Sequence, residues 1–149
     1  MDKPNHPDFC IGPEGPADRQ ALRQLFLETR QSTFHWLDTS GYGLLDFDEQ
    51  THGERIFVAK VGNQVAGFVS LWMPDNFIHH LFVDQRFQRQ QIGLRLLEVA
   101  LRELHVPIAL KCLEQNSAAL AFYGKHGFVT QSQGTSAEGS YFLMVCEKS

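Results

Sequence analysis

The chain has 149 residues, of which 43% are hydrophobic, and carries a formal net charge of −4. This length suits one domain with an adequate core, and the absence of any run of Lys or Arg argues against binding to nucleic acid or to an anionic membrane. No apolar stretch approaches the roughly 20 residues of a membrane span, and residues 1–6 lack the apolar core of a secretion signal, so we expect a cytoplasmic protein.

The chain begins with a short strand candidate at residues 9–11, which a Gly- and Pro-rich cluster ends. A helix should follow, because Pro16 suits a first helical position and Asp18 places a carboxylate in the first turn. The buried face of this helix is predicted from residues at three- and four-residue spacing: Leu22, Leu25, Phe26 and Thr29. Residues 34–45 are expected to form an aromatic, glycine-bearing loop, whose aromatic side chains either line a substrate cleft or pack beneath the loop. A short helix is expected near residues 44–50.

Three strands come next. Residues 56–61 and 65–72 are rich in β-branched and aromatic side chains, and Gly62-Asn63 between them is a turn typical of antiparallel hairpins. The third strand covers residues 77–83. A polar loop then leads into an apolar-periodic helix over residues 92–105, and a loop that ends at a helix N-terminus suits an anion.

The remaining elements are predicted from breakers and caps. Residues 106–113 form a strand that starts at Pro107 and must run parallel to the strand before the helix. Asn116 or Ser117 caps the next helix, which ends near Gly127. Residues 128–131 and 141–147 close the chain as two strands around a loop rich in Gly, Ser and Thr.

Two segments resemble the signature motifs of the GNAT acetyltransferase superfamily. The sequence Gln88-Arg89-Gln90-Gln91-Ile92-Gly93 is similar to the family's loop Gln/Arg-x-x-Gly-x-Gly/Ala, with Gln91 in place of the first glycine. The segment 116–128 matches Asn-x-x-Ala-x-x-x-Tyr-x-x-x-Gly-Phe at Asn116, Ala119, Tyr123, Gly127 and Phe128. Two motifs in the right order, on the expected elements, are more specific than either one alone.

The resemblance covers nearly the whole chain and implies its fold. We expect a single N-acetyltransferase domain over residues 1–149, of mixed α/β class. Its sheet should be twisted and mostly antiparallel, with about seven strands, a parallel pair formed by the fourth and fifth strands, and about four flanking helices. The acceptor cleft would come from residues 34–45 and from the final hairpin loop at residues 134–140.

The same resemblance implies acetyl-CoA as cosubstrate and an amine of a small molecule, peptide or protein as acceptor. It assigns the pantetheine arm to the backbone of Phe82 and Val83 and the pyrophosphate to backbone N–H groups of the loop: Gln88, Arg89, Gln90, Gln91, Ile92, Gly93 and Leu94. Asn116, Ala119 and Tyr123 form the second half of the cofactor site, and Tyr123 would protonate the departing thiolate. The side chain of Asn116 can both donate and accept hydrogen bonds, as a chain of amides requires.

The general base is expected on the strand that precedes the loop. His79 and His80 should lie on opposite faces because side chains alternate along a strand, and histidine is the side chain that titrates nearest neutral pH. We favour His79, with His80 or a chain of water molecules as alternatives. No metal is expected, since the three cysteines are far apart, in no Cys-x-x-Cys arrangement, and suit buried reduced thiols.

Three readings of function stay open at this point. The first is acetyl transfer to an amine, the second is transfer of another acyl group from its CoA thioester, and the third is a GNAT-like module that binds CoA or a partner without turnover. Only Gln91 favours the third. Either a monomer or a homodimer is compatible with such a fold.

Overall fold

The computed structural model describes residues 8–148, so the expectation about a secretion signal in residues 1–6 lies outside the described part of the chain. Within this described part of the chain there are seven strands and four α-helices. The strands are β1 (Cys10–Pro13), β2 (Arg55–Val61), β3 (Gln64–Trp72), β4 (Phe77–Val83), β5 (Ile108–Leu113), β6 (Val129–Ser136) and β7 (Gly139–Cys146). The helices are α1 (Arg19–Thr33), α2 (Asp46–Gln50), α3 (Ile92–Glu103) and α4 (Ser117–Lys125).

All seven strands belong to one sheet, in the order β1-β2-β3-β4-β5-β7-β6. Every neighbouring pair is antiparallel except β4 and β5, which are parallel and joined through α3. This confirms the predicted fold class, including the position of the single parallel pair. A parallel pair needs a crossover, and the amphipathic helix α3 provides it.

The two faces of the sheet carry separate hydrophobic clusters, as alternation of side chains requires. One cluster joins α1 and α2 to the sheet through Phe26, Phe47 and Phe68, each of them fully buried. The other joins α3 and α4 to the opposite face and includes Leu96 and Tyr123. The central strands are therefore packed by helices on both sides.

The start of α1 differs from the prediction. The helix begins at Arg19, and Asp18 occupies the N-cap position instead of the first turn. The Asp18 carboxylate is almost fully buried, where it accepts a hydrogen bond from the amide of Gly15 at 2.8 Å and pairs with Lys60 at 2.7 Å. The carboxylate fixes the turn that precedes the helix, and Pro16 belongs to that turn.

Near the C-terminus the hairpin is longer than predicted. β6 and β7 continue to a tight turn at Ala137-Glu138, so most of the expected loop is strand. Strand β6 is an edge strand whose residues are mostly exposed, so its sequence is polar and lacks the apolar alternation of a half-buried strand. The expectation for the cysteines also needs a correction, because Cys10 is exposed while Cys112 and Cys146 are buried.

Candidate functional site

The central feature of the sheet is a gap between β4 and β5. These strands are paired only at Phe77 with Ala109 and at Ile78 with Leu110. Beyond this point β4 stays paired with β3 as far as Val83, and β5 stays paired with β7 as far as Leu113. The two strands therefore diverge, and part of each faces open space.

A cavity of about 580 Å³ occupies this region and extends toward α1 and the β6–β7 hairpin. Seven residues that were predicted for the site line it: His79, Phe82, Val83, Gln88, Asn116, Ala119 and Tyr123. The other predicted residues, Arg89, Gln90, Gln91, Ile92, Gly93 and Leu94, form the adjoining loop and the first turn of α3. Other residues that line it include Arg30, Lys111, Cys112, Glu138 and Tyr141.

Backbone groups at the end of β4 face the gap. The amide of Asp84 donates to the carbonyl of Ala66 at 2.8 Å, on the β3 side. Because backbone groups alternate in direction along an antiparallel strand, those of Val83 and Leu81 point the other way, toward β5. The side chain of Gln88 reaches the Val83 carbonyl from the loop, with Nε2 donating to it at 3.2 Å.

Phe82 has a different part in the site from the one expected. By the same alternation its backbone groups point toward β3, and its ring stacks on that of Phe26 in α1, with 5.5 Å between centroids. Leu81 and Val83 are thus the residues that offer backbone hydrogen bonds to a molecule in the gap. Phe82 forms part of the cavity wall through its side chain.

The loop before α3 contains two residues in the left-handed conformation. Arg89 and Gln91 both have φ of 66°, and neither is glycine. The first hydrogen bond of the helix runs from the amide of Arg95 to the carbonyl of Gln91 at 3.0 Å. The N–H groups of the preceding residues, Ile92 to Leu94, have no acceptor within the helix and none elsewhere in residues 8–148. They form a cluster of free donors at the positive end of the helix dipole.

The second motif brings Asn116 and Tyr123 to the opposite wall of the cavity. Asn116 is the N-cap of α4, and its side-chain oxygen accepts a hydrogen bond from the amide of Ala119 at 3.3 Å. The oxygen is thus used within the helix, while the amide NH₂ remains a donor at the cavity wall. The sequence predicted both the cap and the shared wall, but it did not show that the cap occupies the acceptor atom.

Tyr123 is 8% exposed and packs against Phe128 and Phe122. Burial, with a further contribution from the neighbouring Cys112, raises the pKa of the Tyr123 phenol well above its usual value. Burial likewise raises the pKa of the Cys112 thiol to about 11. Both groups therefore stay protonated at neutral pH, and the Tyr123 hydroxyl, which makes no hydrogen bond to any described residue, can donate to a molecule in the cavity.

The expectation that His79 and His80 lie on opposite faces is wrong. Ser70 is paired with His80 and Leu71 with Ile78, so β4 contains one extra residue, His79, which forms a β-bulge. The rings of the two histidines stack, with 3.9 Å between centroids and an interplanar angle of 28°. Both histidines line the cavity, because the bulge interrupts the alternation on which the prediction depended.

The two histidines have different surroundings. His80 is enclosed by the aromatic cluster, with its centroid 4.8 Å from that of Phe26, and its Nε2 has no hydrogen-bond partner among the described residues. Burial first, and then the electrostatic effects of His79 and of the Arg30 guanidinium, lower the pKa of His80 well below its usual value. His79 is more exposed and places Nδ1 2.6 Å from Glu54 Oε2. No sequence pattern indicates Glu54, because 25 residues separate it from His79.

The two loops expected around the acceptor cleft are in contact. Trp36 Nε1 donates to the carbonyl of Glu138 at 3.2 Å, which joins the loop after α1 to the β6–β7 turn. Below this contact the buried guanidinium of Arg30 lies between the rings of Phe26 and Tyr42 and pairs with Asp46 at 2.9 Å. This loop is therefore packed in place, and Phe34 and Glu138 reach the cavity from the two sides.

A family model described as the acetyltransferase (GNAT) family matches residues 19–128, which is well over half of the chain. The chain belongs to the GNAT acetyltransferase family. The match spans α1 to the end of the second motif, so it includes the gap, the loop and Tyr123. Comparison with curated protein sequences gave no match.

Solved structures with the GNAT fold are similar over nearly the whole chain. PaiA N-acetyltransferase from Thermoplasma acidophilum, determined in complex with coenzyme A, has 19% identity and a TM-score of 0.74, covering 94% of this chain and 99% of its own. An N-acetyltransferase from Staphylococcus aureus Mu50 has 19% identity and a TM-score of 0.76, covering 91% and 99%. At this level of identity the comparison establishes the fold alone.

Within residues 8–148, no helix combines the length and the apolar character that crossing a bilayer requires. The same residues contain no group of three or more His, Cys, Asp or Glu side chains arranged to hold a metal ion.

Proposed function

We propose that this GNAT domain is an N-acetyltransferase that moves the acetyl group of acetyl-CoA to a primary amine. One observation carries the proposal: Tyr123 and His79 reach a single cavity at the gap between β4 and β5, where strand hydrogen bonds are unmade. A proton donor and a proton acceptor on one cavity, beside a backbone edge able to hold an amide-containing chain, meet the requirements of acyl transfer.

The gap suits the pantetheine arm of acetyl-CoA. That arm contains two amides, and the backbone of Val83 and Leu81 offers donors and acceptors along an unpaired strand edge, in the manner of strand addition. Asn116 adds a side-chain NH₂ donor from the other wall. The Gln88 side chain, which now donates to the Val83 carbonyl, can release it to an amide of the arm.

The loop suits the pyrophosphate. The free N–H groups of Ile92, Gly93 and Leu94 converge at the N-terminus of a 12-residue helix, where an anion is stabilised by both hydrogen bonds and the dipole. Arg89 adds a positive charge in the loop and has no ion-pair partner among residues 8–148. Left-handed φ at Gln91 gives the loop the backbone path that a glycine would otherwise favour.

We assign the two proton transfers to Tyr123 and His79. The acceptor nitrogen attacks the thioester carbonyl directly and gives its proton to His79. The departing thiolate takes a proton from the Tyr123 hydroxyl, which its raised pKa keeps protonated in the resting enzyme. Tyr123 regains a proton from solvent after CoA leaves. The buried, neutral His80 is the weaker candidate for the base because its ring nitrogen is enclosed.

The acceptor is a primary amine of a small molecule, peptide or protein. The cytoplasmic location, the single-domain extent over residues 1–149 and the state as monomer or homodimer also stay predictions from the sequence. A second candidate is a GNAT-like module that binds CoA without turnover, which the strained non-glycine residue Gln91 favours. Transfer of another acyl group is a third.

Free-thiol release on incubation with acetyl-CoA and a panel of amines separates these candidates. We expect release that depends on both acetyl-CoA and an amine, with acetyl-CoA preferred over longer acyl-CoA thioesters. Tight acetyl-CoA binding without any release would favour the non-catalytic module instead.

The role of Tyr123 is tested with Tyr123→Phe and the matched control Tyr42→Phe, whose ring packs on Arg30 outside the cavity wall. Tyr123→Phe should lower kcat by about a hundredfold or more with little change in acetyl-CoA affinity, because the lost hydroxyl acts on the leaving group. Tyr42→Phe should leave both nearly unchanged. If Tyr123→Phe turns over as fast as the control, Tyr123 has no part in the mechanism.

A further inference from the structure

Glu54 is a buried carboxylate whose environment is unusual. It lies immediately before β2, and its side chain is only 5% exposed. Its Oε2 is 2.6 Å from His79 Nδ1, while Oε1 is buried without a hydrogen-bond partner among the described residues. A buried carboxylate is costly unless it is paired or hydrogen-bonded, and His79 supplies the hydrogen bond that offsets this cost.

The contact depends on the bulge in β4. In a regular strand the side chain of His79 would follow the alternation from Ile78, but the extra residue turns it to the face that also carries His80. There it meets Glu54, which reaches it from the far side of β3. The bulge therefore places the His79 imidazole between a buried carboxylate and the cavity. An ion pair that served only to stabilise the surface would not require contact with the cavity.

We propose that Glu54 is a positioning residue for acyl transfer: its carboxylate holds His79 with the proton on Nδ1, directs Nε2 to the acceptor amine, and balances the positive charge that forms on the ring. This proposal rests on the proposed function and names a group that the transferase mechanism has not so far used. Neither of the two GNAT motifs includes Glu54.

The proton balance follows from the chemistry of the two groups. A carboxylate can only accept a hydrogen bond, so Nδ1 must carry a proton, and the lone pair of the neutral imidazole is then on Nε2. When the amine attacks, its proton moves to Nε2 and the ring becomes an imidazolium whose Nδ1–H remains bound to Glu54. The imidazolium returns its proton to solvent after the product leaves. Glu54 stays ionised throughout.

Other charged and titratable groups surround the same cavity and set the background for any pH dependence. His80 stacks on His79 from the same strand, and Arg30 approaches from α1. Lys111 of β5 and Glu138 of the β6–β7 turn line the cavity farther along. None of these four groups forms a hydrogen bond with His79, and within residues 8–148 only Glu54 does so.

The activity test compares Glu54→Gln with Glu103→Gln, a matched loss of charge at a surface pair with Arg55. In Glu54→Gln we expect kcat to fall by about tenfold or more. The limb of the pH profile that reports the base should move by about one unit toward lower pH, because the imidazolium loses its counter-charge. The KM for acetyl-CoA should not change, and Glu103→Gln should match the wild type. His79→Ala should abolish that limb altogether.

An unmoved limb in an active Glu54→Gln enzyme would overturn the proposal, and an unchanged pH profile in His79→Ala would remove the base on which it depends. Neither result would affect the assignment of the chain as a transferase, which thiol release tests separately.

A second measurement examines the His79 ring in the wild-type chain directly, so it holds even where Glu54→Gln fails to fold. Nitrogen NMR of ¹⁵N-histidine-labelled protein distinguishes the two neutral tautomers of His79, with His79→Ala identifying its signals. At pH values where the ring is neutral, we expect the proton to be on Nδ1. A neutral ring that carries its proton on Nε2 would overturn the proposal regardless of activity.

Discussion

Replacing Gln91 by glycine is the sharpest test of the loop that we assign to the pyrophosphate. Gln91 has φ of 66° and ψ of 15°, and its side chain makes no capping hydrogen bond. A non-glycine residue in this left-handed region costs about 1–2 kcal/mol, which Gln91→Gly removes. Glycine also increases the entropy of the unfolded chain, which costs about 0.5–1 kcal/mol.

The two effects leave a net stabilisation of about 0–1.5 kcal/mol, which corresponds to a rise in Tm of up to roughly 6 °C for a domain of this size. Gln90→Gly is the matched control, because Gln90 has an ordinary negative φ and its substitution introduces only the entropic cost. The difference between the two variants should therefore equal the left-handed penalty itself, about 1–2 kcal/mol.

Urea denaturation in the absence of acetyl-CoA measures both variants, since a bound ligand would add its own stabilisation. Equal shifts for Gln91→Gly and Gln90→Gly would refute the strain argument. Acetyl-CoA affinity supplies a second readout. If the Gln91 side chain donates to a phosphate oxygen, Gln91→Gly should bind acetyl-CoA equally well or more weakly, and markedly tighter binding would contradict that role.

Two further predictions concern the sheet and the turn before α1. Gly67→Ala should destabilise the fold by about 1–3 kcal/mol in urea denaturation, because its Cβ would lie 2.8 Å from the carbonyl oxygen of Phe82. Gly12→Ala serves as the control, since its Cβ would meet nothing within 4 Å. Equal stability of the two variants would contradict the close approach. For Asp18, burial alone would raise the carboxyl pKa, but Lys60 and the amide of Gly15 outweigh it, so that the folded pKa lies below the ordinary value. The ionised carboxylate therefore stabilises the fold above about pH 4, and this contribution is lost as the pH falls through the lower folded pKa. The unfolding free energy of Asp18→Asn should accordingly depend less on pH, between about pH 5 and pH 2, than that of the wild type.

The sequence predicted the parts of the fold that depend on local patterns. The Gly62-Asn63 hairpin, the amphipathic helix α3 and the cap at Asn116 each have a signal within a few residues. The edge strand β6 was missed over most of its length, since an exposed strand needs no apolar alternation. The start of α1 was placed too early because the sequence does not show that Asp18 is paired with Lys60.

The site was predictable to the extent that it is built from motifs. The loop and the segment that carries Asn116 and Tyr123 were recognised from residue types at fixed spacing. The bulge at His79 was not, because one inserted residue in β4 is visible only through its pairing with β3. Glu54 depends on that bulge and on three strands coming together, so no local sequence pattern could have indicated it.

Direct acetyl transfer in the cavity is tested by a single reaction containing acetyl-CoA with an isotopic label on the acetyl group and an amine that the thiol assay has identified. Mass spectrometry of the same sample follows the intact protein and the amine together. We expect the label to appear on the amine, with one free thiol for each acetylated molecule, and Cys112 and the rest of the protein to stay unlabelled. Label retained on the protein as an intermediate, or thiol released without acetylated amine, would contradict direct transfer in the cavity between β4 and β5.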